Sequence, residues 1–467
     1  MATLLELQAK LVASLPAKRP APGSSWVGPL APTRREEERR FAEHMRAEAA
    51  EVREKQRLGK EYRETNPDNS TLLPLDQYDT IAITFSGGKD SLACLLHVLE
   101  RCDAEGVARD TVELWHHAVD GRPGSDPVFD WPCTESYCEA VAAALDLPLY
   151  YSWREKGILG EMQRVDATSH DITFQTPKVA WGLRGSKIPG TSRPAVREIR
   201  VEQGGKLATR RIVGPDGKLP PGVSPAWPAI SGDLQKRWCS SIAKVDVGRK
   251  ILTNDPRFAA ANRQRPARVL VVSGERRAES TGRSYYARIE HEVGSNQSRR
   301  VDRWRPVIDW TTEEVWGLIQ RWGIVPHPCY WLGFGRASCE TCIFSGPEEW
   351  ATIQAVHPER FNLFVKLEKW AHATIDVGKS AVVNKAGVET RPRIPGLSIL
   401  ERVAGHFETR GRDKVPTWFP AAESLAPAGK AGAYWRDQAM HFTTPVRVAE
   451  DHWVLPSGAF RAGAGPT

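Results

Sequence analysis

Two groups of residues in this chain of 467 could do chemistry. The first is Ser86-Gly87-Gly88-Lys89-Asp90-Ser91, set between the apolar run Ile81-Ala82-Ile83-Thr84-Phe85 and the helix-forming Leu92-Ala93-Cys94-Leu95-Leu96. Paired glycines at such a strand-to-helix turn let the backbone approach a pyrophosphate, and the first turn of the helix offers it unpaired N–H groups and a positive dipole end. The second group is Cys239 followed by Cys329-x9-Cys339-x2-Cys342. A Cys-x-x-Cys pair can place two sulfurs on one metal, and four thiolates suit either zinc or a [4Fe-4S] cluster. Spacing does not separate the two. The chemistry on offer is therefore nucleotide phosphate handling beside a metal or reactive sulfur.

The phosphate loop is not of the Walker type, which needs Gly-x-x-x-x-Gly-Lys-Ser/Thr, and it lacks the third glycine of the dinucleotide fingerprint. The elements that must position it read as a repeating strand–helix alternation. A second apolar run, Thr111-Val112-Glu113-Leu114-Trp115, ends near Asp120; a helix over Ser136–Leu145 leads into a third run, Leu147–Tyr151. The rhythm returns as a helix over Trp238–Leu252 and a strand over Arg268–Val272. Such alternation predicts an α/β fold with a doubly wound, mostly parallel sheet, whose ligands sit at the carboxyl ends of the strands. Ser86, Asp120 and the loop Ser273-Gly274-Glu275-Arg276 all fall there. Guanidinium groups at Arg276 and Arg283 suit phosphate or sulfate, and Lys244 adds a further cation.

Composition frames this reading. Net charge is +7, from 64 Lys+Arg against 57 Asp+Glu, which permits polyanionic ligands without requiring them. Eight cysteines are too few for a disulfide scaffold at this length. No stretch reaches the ~20 apolar residues that span a bilayer, so the expectation is a cytoplasmic protein with no membrane partner. Residues 33–63 alternate acids and bases, and Thr33 with Glu36 has capping-box spacing, which predicts a solvated helix. Between Arg184 and Lys218 nine Lys/Arg face three acids in a Gly/Pro-rich stretch. That stretch, about 184–230, reads as an inserted loop, either solvated or a basic surface. The expected division is a charged helical extension over 1–70, a nucleotide domain over 71–345, and a C-terminal region over 346–467, helical and then irregular.

Ser-Gly-Gly-x-Asp-Ser resembles the signature of the PP-loop ATP pyrophosphatase superfamily. Further segments resemble its phosphoadenosine phosphosulfate (PAPS) reductase family in order: Phe129-Asp130-Trp131-Pro132, Gly274-x-Arg276-x-x-Glu279-Ser280-x-x-Arg283, and Arg305-Pro306-Val307-Ile308-Asp309-Trp310-Thr311, after which Thr311 or Thr312 caps a helix. The resemblance covers roughly residues 78–345. It implies an adenine nucleotide alpha hydrolase-like fold, ATP with Mg2+, and a [4Fe-4S] cluster on Cys239, Cys329, Cys339 and Cys342, with zinc as the alternative. It also implies that Ser86, Gly87, Gly88, Lys89, Asp90, Ser91, Asp120, Gly274 and Arg283 bind the nucleotide and that Asp90, Lys244 and Arg276 act in catalysis.

Departures narrow the reaction. Cluster-bearing sulfonucleotide reductases use adjacent cysteines, whereas this chain has Trp238-Cys239-Ser240, and no C-terminal Glu-Cys-Gly-x-His segment is present. What remains looks like the DNA phosphorothioation sulfur-transfer enzymes. That likeness implies that ATP is cleaved to AMP and pyrophosphate to activate an acceptor, with DNA as substrate and a cysteine desulfurase or other sulfur donor as partner. Cys133 or Cys138 could carry the sulfur. Two alternatives stand beside it: a PAPS or adenylylsulfate reductase using an unusual cysteine, and a non-catalytic nucleotide- or nucleic-acid-binding subunit with a structural metal.

Overall fold

In a computed structural model the described residues are 71–163, 170–176, 227–228, 237–258, 264–292, 294–378 and 431–461, with short pieces at 197–199, 382–383, 389–390, 399–400 and 403. They belong to a unit running from Glu48 to Thr467; the other unit, Met1–Ala47, lies outside them, as does the helix predicted over 33–63.

Among the described residues eight strands form one sheet in the order β5-β4-β3-β2-β1-β6-β8-β7. The central five are parallel: β3 (Leu149–Arg154), β2 (Val112–Ala118), β1 (Thr80–Thr84), β6 (Ala267–Val272) and β8 (Arg299–Trp304). Antiparallel strands finish both edges: β4 (Ile172–Phe174) and β5 (Arg197–Ile199) on one side, β7 (Ile289–His291) on the other. The chain thus starts its sheet in the middle, winds out through β2 and β3, then returns to the opposite side of β1 through β6. The crevice between β1 and β6 is the point at which the winding reverses, and ligands of open α/β sheets bind there.

Both sheet faces are covered, as parallel strands require. Ile81 and Ile83 of β1 join a core with Leu92, Leu95 and Leu96 of helix α1 (Lys89–Glu105), while Ala82 faces a second core with Val247, Ile251 and Phe258. α1 stops at Gly106, whose φ of +67° is the left-handed conformation that closes a helix. Helix α2 (Thr134–Ala144) precedes β3, and the short α3 (Gly157–Met162) follows it. Before β6 the chain forms one helical turn over Trp238–Ser240, a π turn over Ser241–Val245, and helix α4 (Asp246–Asn254). Helix α5 (Thr312–Arg321) opens on Thr311: its Oγ accepts the Glu314 N–H at 3.2 Å, and the Glu314 carboxylate accepts the Thr311 N–H at 2.7 Å. Helices α6 (Pro347–Val356), α7 (Pro358–Gly378) and α8 (Ala431–Met440) complete the layer.

Two expectations are refined here. β8 carries Arg299, Arg300, Asp302 and Arg303 and was not legible as a strand, since a charged run contradicts the apolar signature of a parallel strand. The segment after Ala431 is also more tightly docked than an irregular tail. The Trp435 indole stacks on Trp331 with ring centres 4.4 Å apart, Trp453 donates to the Ile324 carbonyl at 2.7 Å, and Trp316 donates to Ala459 at 2.9 Å.

Candidate functional site

The loop after β1 turns on a glycine. Gly87 adopts φ +77°, a conformation favouring glycine, and a Cβ there would stand 3.1 Å from Tyr137 and 3.3 Å from the Cys138 sulfur. Ser91 steadies the turn from within the first turn of α1: its hydroxyl donates to the Gly88 carbonyl at 2.9 Å and accepts the Ser86 N–H at 3.3 Å. Ser86 is exposed at the mouth. The Lys89 N–H, expected to face phosphate, instead donates to the buried Tyr330 hydroxyl at 2.9 Å.

Lys89 also turns its side chain inward. Its Nζ lies 3.2 Å from Asp90 and 3.4 Å from the Gly335 carbonyl. The other Asp90 oxygen accepts from Arg276 Nε at 2.6 Å. Burial alone would raise the Asp90 pKa, but Lys89 and Arg276 together hold it down to about 2. Both carboxylate oxygens are thus engaged by cations. Arg276, expected to face the phosphates, is buried, also donates to the Trp310 carbonyl, and is absent from the cavity lining. Its place is to tie the β6 loop to the start of α1.

Gly274 makes that junction possible. A Cβ on it would meet Asp90 C at 2.8 Å and Ser91 N at 2.9 Å, so the two strand-end loops touch backbone to backbone at the reversal point. Asp120 departs from expectation. Its carboxylate accepts the N–H groups of Phe129 at 2.9 Å and Asp130 at 2.7 Å, closing the loop after β2. Burial is the largest influence and pushes its pKa up to about 6. Asp120 does not line the cavity; Asp130, on the loop it closes, does.

That cavity, about 710 Å³, spans the reversal point and is lined by Ser86, Gly88, Asp90 and Ser91 together with Cys239, Cys339 and Cys342. Its size suits a nucleotide-sized ligand. Lys244, Gly274 and Arg283 also line it, with Arg283 paired to Glu279. Burial pushes the Cys239 thiol up to about 11 and the Cys339 thiol well above its ordinary range.

The fourth predicted ligand is not among them. Cys329 is wholly buried beyond the lining, its N–H donating to His327 Nδ1 at 3.2 Å. Among the described residues no three His, Cys, Asp or Glu side chains stand together as ligands. The predicted four-thiolate set is therefore not assembled: three cysteines reach the cavity and the fourth packs elsewhere, because the turn Pro328–Trp331 points it into the core. Cys133 and Cys138 are buried too, 3.6 Å from His327 Nε2 and His116 Nδ1, and burial pushes both thiols well up. Neither opens on the cavity.

Sequence reasoning missed several lining residues. His116 and His117 enter from β2; burial lowers them to about 4 and about 3, so both stay neutral near pH 7. Tyr330 has no motif to announce it. Lys244 was expected from the sequence, but not the π turn that carries it, a feature frequent at functional sites and invisible in residue pattern.

Comparison with known proteins bears on one side of this cavity. A family model described as phosphoadenosine phosphosulfate reductase domain matches residues 233–344, which include Cys239, Cys339 and Cys342 but begin after the phosphate loop. An uncharacterised 37.8 kDa protein of Escherichia phage 186 is 32% identical over 112 residues, 24% of this chain and 33% of the relative. An uncharacterised protein of Methanocaldococcus jannaschii is 26% identical over 133 residues, 28% of this chain and 29% of the relative. An adenosine 5'-phosphosulfate reductase of Burkholderia cepacia is 28% identical over 71 residues, 15% of this chain and 27% of the relative. The chain thus spans a third or less of the length of these relatives. The comparisons support a PAPS reductase-like family and, with it, nucleotide-dependent sulfur chemistry.

Proposed function

We propose that this chain cleaves ATP to AMP and pyrophosphate in order to activate a phosphate acceptor for sulfur transfer, with DNA as the acceptor. The observation that carries the reading is that the phosphate loop and three cysteines open on one cavity. Ser86, Gly87, Gly88 and Ser91 hold the pyrophosphate portion of ATP. Asp90, fixed between Lys89 and Arg276, keeps the first turn of α1 in place. Lys244 offsets charge as it develops.

In the first step an acceptor phosphate oxygen attacks the α-phosphorus of ATP; that O–P bond forms, the α–β bridge breaks and pyrophosphate leaves. In the second, hydrosulfide from a desulfurase or other donor attacks the acceptor phosphorus, the P–S bond forms, and AMP leaves with the oxygen. Neutral His116 or His117 can take the sulfur nucleophile's proton.

The Burkholderia similarity favours a second reading, reduction of a sulfonucleotide by a cavity thiol. One experiment separates the two. Anaerobic incubation with labelled ATP and Mg2+ should yield AMP and pyrophosphate, faster with DNA. Intact ATP, together with sulfite from an adenylylsulfate and a thiol, would replace the first reading by the second.

A further inference from the structure

The cations around the cavity are not equivalent. Arg303 and Arg305 lie against Glu292 and Glu290, and Arg283 against Glu279, so their charge is spent inside the protein. Arg237, Lys244, Arg249 and Arg336 also line the cavity, yet none has a carboxylate at ion-pair distance among the described residues. Arg237 Nε is buried with no hydrogen-bond partner, while the guanidinium carbon sits 5.6 Å from the Phe344 ring centre. A buried, unpartnered guanidinium N–H is costly unless something occupies it.

Three of these four stand by the cysteines: the charge of Arg237 is felt with Cys239 and Arg336, and that of Lys244 with Cys339. Arg237 is two residues from Cys239; Lys244 follows on the π turn; Arg336 sits three residues before Cys339. The segment carrying Arg336 also touches the phosphate loop, because Ala337 Cβ would lie 3.4 Å from a Cβ on Gly88. An anion held here is therefore next to the nucleotide's pyrophosphate site but made by different residues.

We propose that Arg237, Lys244 and Arg336 form a second anion subsite that takes a phosphate group of the sulfur acceptor, beside Cys239, Cys339 and Cys342. This rests on the reading of the Ser86 loop as the nucleotide site. The recognised chemistry is a phosphoryl oxyanion, met by charge-assisted hydrogen bonds from guanidinium and ammonium donors. A polynucleotide backbone and a nucleoside bisphosphate both present it.

The full-length protein is titrated calorimetrically with ATP·Mg, with a short single-stranded DNA and with adenosine 3',5'-bisphosphate. The same titrations are run on Arg237→Gln, Arg336→Gln and the double variant, with Ser91→Ala as the control for the loop. The single variants should weaken the DNA or the bisphosphate by about 10-fold or more, while ATP stays within about twofold. Ser91→Ala should do the reverse. Whichever of the two probes loses affinity names the source of the phosphate. Equal loss of ATP and second probe would overturn the proposal by assigning the cations to the nucleotide, and so would unchanged binding of all three. Failure of wild type to bind ATP, with the second probe still sensitive to Arg237, would sink the nucleotide reading and leave the subsite standing. To guard against misfolding, melting of each variant is recorded with and without 50-fold excess sulfate over its Kd. The Arg237→Gln/Arg336→Gln protein should melt normally without sulfate and gain clearly less from it than the wild type; an equal gain would overturn the proposal.

Discussion

At Gly274 the missing side chain is a requirement of packing: the β6 loop and the start of α1 meet with no room for a methyl group. Gly274→Ala must displace the backbone of Asp90 and Ser91. It should cost about 1–3 kcal/mol of stability and weaken ATP binding by at least about tenfold, read by urea denaturation and titration. Acidity acts through other single residues. Burial holds His116 and His117 at about 4 and about 3, so their contribution to stability is present above the unfolded value near 6.5 and is lost as pH falls toward 4. Asp120 has the opposite sign. Raised to about 6 from 3.8, it favours the fold below pH 3.8 and loses that contribution as pH rises through 6. In His117→Asn, which can keep the 2.7 Å contact to Ser152, one proton is removed from the balance. Between pH 6 and 4 the stability of this variant should therefore fall by about 1.4 kcal/mol per pH unit less than that of wild type. Equal slopes would show that His117 is not held neutral.

At the scale of elements, the turn Pro328–Trp331 holds the phosphate loop from behind, through one hydroxyl. Tyr330 accepts N–H groups from Lys89 at 2.9 Å and Ala337 at 3.3 Å. Tyr330→Phe leaves two buried donors unmet, which should cost roughly 1–3 kcal/mol and speed hydrogen exchange at both amides. Unchanged exchange would remove this link. The central strands, α1 and the Thr311 cap were legible in the sequence because apolar runs and capping pairs are local signals. β8 was not, because its arginines find partners only after folding: Glu292, beside β7, takes Arg303, and the Gly294 carbonyl takes Arg299. In the site, Ser86, Asp90 and three cysteines were legible by type and spacing. The inward turn of Cys329, the π turn under Lys244 and the capture of Arg276 by Asp90 depend on how distant segments meet, which no local pattern carries.

At the scale of the whole molecule, the candidate site depends on residues far along the chain. Residues after 430 cover Trp331, Trp316 and Ile324, and the turn bearing Trp331 is the one that supplies Tyr330. Trp435→Ala should cost about 3–5 kcal/mol, since its ring is fully buried, and should weaken ATP binding although it lies outside the cavity. Among the described residues no helix is long and apolar enough to cross a membrane.

The central claim is that nucleotide and cysteine chemistry share one cavity, and differential alkylation tests it most directly. Reduced, metal-free protein is treated with a thiol reagent with and without ATP·Mg, and each cysteine is followed by mass spectrometry. ATP should slow labelling of Cys239, Cys339 and Cys342 several-fold in the wild type and require about tenfold more nucleotide to do so in Ser91→Ala, while buried Cys94 and Cys102 stay unlabelled throughout. Labelling of the three cysteines at the same rate with saturating ATP bound would contradict the claim.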